Sequence, residues 1–251
     1  IQVLQSNVVL NKGKRYRVEF DARGELPRGI EVNIGSGAFH NPDPYTTYSE
    51  AHLFFIDTEM QTYSFEFTMN QPDHHDARFE FNLGLYEGDV ILDNIRISEI
   101  IEIIDDFNNE NDTGNWQSNS KDCFWVGSSC SKRSLGGMII TDDNGILELT
   151  NSHNAYDARF INFHFSYITL GYYCLFKSNW ELQYSPDNGD SWGTVYSWKD
   201  EQIRFMYVDK TIQLNAEDFV LTDNCCFRFK SNGRFWWDVT FIDAVTISLY
   251  K

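Results

Sequence analysis

The first 104 residues hold no tryptophan and no cysteine; all seven tryptophans and all five cysteines come later. Any aromatic platform in that first stretch must therefore be built from Tyr, Phe or His. None of the cysteines forms a CxxC pair or comes with zinc-type His spacing, so a zinc site is not indicated. In an oxidising compartment they allow two disulfides and one thiol left over; in a reducing one they are buried thiols. No apolar run approaches the ~18 residues of a membrane span. Basic residues are scarce, with Lys and Arg totalling 20 against 37 Asp and Glu, a net charge of −17. That balance argues against nucleic acid and anionic membranes, which recruit basic surfaces. It suits a secreted or surface-exposed chain, a chain that gathers divalent cations, or simply a solubilising surface. The opening IQVLQSNVVL lacks a basic n-region and a small-residue cleavage site. It reads as the interior of a domain, which implies sequence ahead of Ile1 and a larger parent polypeptide.

What is present is strand signal. RYRVEF, GIEVNIG, TYSFEFTM, ARFEFNLG and VILDNIRIS alternate in period two between Gly, Pro, Asn and Asp turns. The pattern resumes beyond residue 104 in GILELT, RFINFHFSYI, WELQYSPDNGDSW, KTIQLN, CCFRFK and VTFIDAVTISLY. Strands at roughly ten-residue spacing give an all-β fold, a sandwich or barrel. At 251 residues, 42 % of them apolar, the chain can fill two ordinary cores. A break falls near residue 104, where the Asp/Asn-rich DDFNNENDTGNW begins, giving expected domains 1–104 and 105–251.

The two parts end alike. ARFEFNLGLYEGDVILDNIRIS (77–98) aligns without a gap with FRFKSNGRFWWDVTFIDAVTIS (227–248). Six of 22 positions are identical, Asp93 and Asp243 among them. This implies two domains of similar build, each closed by the same hairpin. Alternation sets Asp93 on the face of Ile91, Ile95 and Ile97, where a lone carboxylate is costly. It either binds a cation or accepts backbone N–H groups at a strand bend.

The runs LNKGKRYRVEFDARGELPRGIEVNIG and QTYSFEFTMNQPDHHDARFEFNLGLYEGDVILDNIRIS resemble carbohydrate-binding modules of the family 4, 9 and 22 type. DDFNNENDTGNW, WVGSSC, INFHFSYITLGYYC, WELQYSPDNGDSW and the closing FIDAVTIS are similar to reelin-type jelly-roll subdomains and related bacterial adhesin modules. The resemblance implies two tandem jelly rolls, the first lacking its N-terminal segment. It also implies structural calcium at the acid of the last strand: Asp93 in the first domain, and Asp243 with Asp105 and Asp106 in the second. Calcium takes six to eight oxygens. The reelin-like pattern further implies a Cys130–Cys174 disulfide. Asn111 stands in an N-x-S/T sequon, a glycosylation position if the source is eukaryotic and secreted.

No catalytic constellation stands out. Ser36 and Ser128/Ser129 lack the GxSxG elbow, phosphate-loop and Rossmann fingerprints are absent, and nothing singles out two carboxylates as a glycosidase pair. Adjacent His74 and His75 point to opposite faces of a strand end and make a poor metal pair. The aromatic loop 35–52 is the functional candidate, since loops that long in a compact β domain are usually functional or disordered. Tyr45, Tyr48, Phe39 and His40 could stack sugar rings, with Glu80 or Asn82 taking hydroxyls; alternatively the loop only covers a sheet edge. Trp236 and Trp237 are ambiguous, since a strand would turn one of them inward. The leading expectation is a non-catalytic extracellular or cell-surface module that binds a β-glucan or xylan type polysaccharide. The alternative is a structural or adhesion module that contacts other surface proteins in a fibre or matrix.

Overall fold

The structure, a computed structural model, describes residues 1–36, 46–84, 86–105, 107, 115–118, 123–127, 136–141, 145–170, 178–201, 206–231 and 239–251. Its regular elements are all strands, and the chain divides into two compact units, Ile1–Ile100 and Ile101–Lys251.

Unit 1 contains β1 (Gln2–Leu10), β2 (Arg15–Gly24), β3 (Arg28–Gly35), β4 (His52–Ile56), β5 (Gln61–Thr68), β6 (His74–Asn82) and most of β7 (Val90–Asp105). One sheet has the order β1-β6-β3-β4; in the other, β2 lies between β5 and β7, and all pairings are antiparallel. Period-two alternation sorts the side chains. Ile30, Val32, Ile34, Phe79 and Phe81 of the first sheet meet Val18, Phe20, Ala22 and Phe65 of the second in one core. Phe20 sits edge-on to Phe54 and Phe81, with centroids 5.3 and 5.1 Å away. Strands β1 and β4 carry little alternation, and antiparallel pairing with β6 and β3 rather than pattern makes them strands.

Unit 2 contains β8 (Trp116–Ser118), β9 (Cys123–Gly127), β10 (Gly136–Thr141), β11 (Ile146–Leu149), β12 (Phe160–Leu170) and β13 (Ser178–Ser185). It continues with β14 (Gly193–Glu201), β15 (Val208–Asn215), β16 (Cys226–Ser231) and β17 (Val239–Tyr250). One sheet runs β14-β13-β16-β11-β8; in the other, β12 lies between β15 and β17, with β10 and β9 beyond β17. Its core is aromatic: Trp180 and Trp198 stack at 3.7 Å, and Phe163, Phe165 and Phe229 pack edge-on around one another.

The repeated ending is not a hairpin. Strand β6 pairs with β1 and β3, whereas β7 pairs with β2, so the two arms of the repeat lie in different sheets. The same holds for β16 and β17. In a sandwich, consecutive strands can cross from one sheet to the other, and alternation alone does not tell this from a hairpin.

What recurs is a β-bulge. The register slips between Glu19 and Asp21 opposite β7, and between His164 and Ser166 opposite β17. Asn94 and Ala244 adopt left-handed φ of 49° and 50°. Each preceding aspartate accepts the N–H of that residue through Oδ1, at 2.8 Å in both cases. The extra residue breaks the alternation, so Ile97 faces the core opposite Val18 while Asp93 stands opposite Asp21. Asp93 is exposed and Asp243 fully buried.

Candidate functional site

The outward faces of the two sheets of unit 1 differ in chemistry. On the sheet formed by β5, β2 and β7, ion pairs engage the charges: Lys14–Glu99, Arg15–Glu66, Arg17–Glu66, Arg17–Glu19 and Arg96–Glu19. On the sheet β1-β6-β3-β4 the outward positions carry amides and carboxylates linked across strands. Asn33 Nδ2 donates to Glu80 Oε2 at 3.1 Å, and Glu80 also pairs with Arg78. Asn82 Nδ2 donates to Glu31 Oε1 at 2.9 Å, while Gln2 Nε2 donates to Asn82 Oδ1 at 2.6 Å. Asn33 and Glu80 are each 6 % exposed, unusual for polar groups on an outward face. The hydrogen bond between them and the Glu80–Arg78 ion pair make that burial tolerable and hold the row in one arrangement.

Apolar groups continue this face toward β4. Leu53 and Phe55, opposite Glu31 and Gly29, are 52 % and 70 % exposed. Tyr86 lies over Gly29, where a Cβ would come within 2.7 Å of Tyr86 Cε2. Glycine here allows a ring to approach the strand directly. The loop that carries Tyr86 is tied down from beneath. Arg28, 4 % exposed, donates through its guanidinium to the carbonyls of Glu87 (3.1 Å), Gly88 and Leu83. The ring, 52 % exposed, is thus a positioned platform beside a fixed row of acceptors and donors.

Of the residues expected from sequence, Glu80 and Asn82 belong to this row. Tyr48 packs against the core cluster with its ring 5.3 Å from that of His74, and burial pushes its hydroxyl pKa up. Phe39, His40 and Tyr45 lie outside the described residues. Tyr86, Arg28, Gly29, Glu31 and Asn33 were not singled out by sequence. Gly29 in a strand, followed at the same parity by Glu31 and Asn33, is the signal that could have marked them. His74 is buried, with Nδ1 accepting the Asp76 N–H at 3.2 Å, and His75 is exposed.

The expected calcium ligands have protein partners. Asp105 accepts from Phe107 N and Asn115 N, both at 3.0 Å, and Asp93 and Asp243 hold their bulges. Among the described residues no three His, Cys, Asp or Glu side chains gather around a point that could hold a metal. Asp106, Asn111, Cys130 and Cys174 lie outside those residues, as do Trp236 and Trp237. Cys225 and Cys226 are free and buried; burial pushes the Cys225 thiol up to about 12.

Residues 1–89 match the carbohydrate binding domain family model (CBM 4/9), which leaves unit 2 outside the match. Among solved structures, a CBM4 protein is 29 % identical over 39 % of this chain, with a TM-score of 0.34. The chain spans 60 % of that protein's length. The CBM22-1–CBM22-2 tandem of Xyn10C from Paenibacillus barcinonensis is 12 % identical, covering 98 % of this chain and 82 % of its own, with a TM-score of 0.41. The K1 cleaved adhesin domain of Lys-gingipain from Porphyromonas gingivalis is also 12 % identical, covering 59 % of this chain and 97 % of its own, with a TM-score of 0.44. No curated protein matches the chain.

Proposed function

We propose that unit 1 is a non-catalytic polysaccharide-binding module, and that it binds on the outward face of the sheet β1-β6-β3-β4. The observation that carries this is Tyr86, held over Gly29 by Arg28 beside the Gln2–Asn82–Glu31 and Asn33–Glu80–Arg78 rows. A pyranose ring has a flat C–H face for the tyrosine and equatorial hydroxyls for amides and carboxylates. The match of residues 1–89 to a carbohydrate binding domain supports the same ligand class. A β-linked polymer of the glucan or xylan type is extended enough to lie along such a face. One ring with flanking hydrogen bonds gives weak binding, micromolar or poorer once immobilisation is subtracted.

Affinity electrophoresis against β-glucans and xylans tests the proposal. Retardation of the wild-type chain, lost in Tyr86→Ala and Asn82→Ala variants that still melt cooperatively, is the expected result. No retardation on any polysaccharide would overturn it and return the chain to the structural or adhesion reading. The proposal extends to an extracellular or cell-surface setting, which suits the net charge of −17 and a polymeric target.

It also extends to calcium in unit 2. There Asp105 and Asp243, 5 % and 0 % exposed, would hold the ion with Asp106. Calcium should then raise the melting temperature of the chelated protein. An unchanged melt on adding calcium to metal-free protein would remove it.

A further inference from the structure

Outside unit 1, a surface hollow has the makings of a ligand site. In unit 2 the segment between β11 and β12 is laced to the segment between β15 and β16. Ala155 N donates to Thr222 O at 2.7 Å, His153 and Cys225 exchange backbone hydrogen bonds, and Ala216 N donates to Arg159 O at 2.8 Å. Each segment is also fixed internally. Asn154 Oδ1 accepts the Tyr156 N–H at 3.0 Å, and the Asp218 and Phe219 N–H groups converge on Asn215 O. Tyr184 Oη reaches from the core to Val220 O at 2.8 Å.

These segments border an open hollow of about 420 Å³, within the ~300–1,000 Å³ of small-ligand sites. Ala158 and Leu221 line it as buried residues, at 5 % and 9 % exposure. Tyr156 and Val220 also line it, at 71 % and 75 % exposure. Two apolar side chains this open, on backbone that many hydrogen bonds immobilise, leave a preformed apolar surface in water. Glu217 and Asp218 add carboxylates to the same lining.

We infer that the hollow bounded by Tyr156, Val220 and Asp218 is a second saccharide-binding site, one that accepts a chain end or a short oligosaccharide. The chemistry selects the class. Anionic ligands are disfavoured by two carboxylates on a strongly acidic chain. A purely apolar ligand would leave those carboxylates without ligand partners. A neutral sugar offers C–H surface to Tyr156 and Val220 and hydroxyl donors to Glu217 and Asp218, in charge-assisted hydrogen bonds. The size of the hollow suits a short oligosaccharide or a chain end. This inference does not depend on the unit 1 reading.

Saturation-transfer NMR on the full chain tests it, with cello-, xylo-, manno- and N-acetylglucosamine oligosaccharides at millimolar concentration. A Tyr86→Ala background silences the proposed unit 1 platform. Signal should persist there for at least one sugar. Adding Tyr156→Ala should weaken that binding by about 3- to 10-fold. Asp218→Asn should weaken it too, with the melting temperature unchanged in both. Wild-type binding that Tyr86→Ala abolishes would leave unit 1 standing and overturn the second site. Binding that survives both Tyr156→Ala and Asp218→Asn would overturn it as well. Capture of trilysine that is lost in Tyr156→Ala and screened by 0.5 M salt, with no sugar signal, would replace the saccharide by a cation.

Discussion

Substituting Gly29 with Ala should separate the proposed binding from the fold. The added methyl would sit 2.7 Å from Tyr86 Cε2 and 3.4 Å from Leu53 Cδ1. Carbon atoms settle at about 3.5–4.0 Å, so the ring must retreat by roughly 1 Å. The cost should be small, because the ring is 52 % exposed and Arg28 ties down the carbonyls of the loop and not the ring itself. Glycine within a strand costs roughly 0.5–1 kcal/mol relative to alanine, so the substitution gains back part of any local strain. Global stability should therefore change by less than about 1 kcal/mol, in either direction. Binding should suffer more, since an aromatic contact is worth roughly 0.5–1.5 kcal/mol beyond area burial, a factor of about 2 to 13 in Kd. Isothermal titration with the best polysaccharide from electrophoresis measures it, beside a melt of the same preparation. Tyr86→Ala should show a loss of similar size, and the double variant little more, because both remove one platform. Wild-type affinity in Gly29→Ala would refute the assignment of Tyr86. A collapse in melting temperature would refute the claim that the ring yields without disturbing the strand.

Removing the Arg28 guanidinium with Arg28→Ala leaves the carbonyls of Leu83, Glu87 and Gly88 without that donor; a loss of roughly 2–4 kcal/mol in denaturant unfolding, with weakened glycan binding, is expected. Asp243→Ala strips the acceptor from the Ala244 N–H in the buried bulge of β17 and should cost about 1–3 kcal/mol, whereas Ala244→Gly, which relieves a φ of 50°, should be neutral or stabilising by up to about 1 kcal/mol. Chemical denaturation of the two variants separates these signs. Burial lowers the pKa values of His52 and His153 below their usual 6.5. The unfolded chain therefore takes up protons that the folded chain refuses as pH falls below about 6.5, and that contribution to stability is present above 6.5 and fades on acidification. Melting temperature should drop between pH 7.5 and 5.5, and less steeply in a His52→Gln/His153→Gln variant; equal slopes would discard the effect.

The all-β class was legible because alternation in β2, β3, β5, β6 and β16 is strong and turn residues punctuate it. Side-chain period alone names the inward residues: Val18 and Phe20, Ile30 and Val32, Phe79 and Phe81 are buried on that rule. The recurrence of Asp93 at Asp243 was legible as well, and so was the option that each acid accepts a backbone N–H. The sequence does not show that these acids cap a bulge. A bulge is an extra residue relative to the partner strand, and only pairing β7 with β2 and β17 with β12 reveals it. The same limit hid the sheet crossing of β6 and β7, since alternation records which side a residue faces and not which strand lies beside it. It also hid the candidate face. Gln2, Glu31, Asn33, Glu80 and Asn82 come from three strands, and antiparallel register alone sets them in rows. Tyr86 joins them only because Arg28 ties its loop down and Gly29 leaves room for the ring. The hollow at Tyr156 likewise needs two segments some sixty residues apart in the chain. Local chemistry fixed which residues turn inward; the pairing of distant strands decided which outward ones meet.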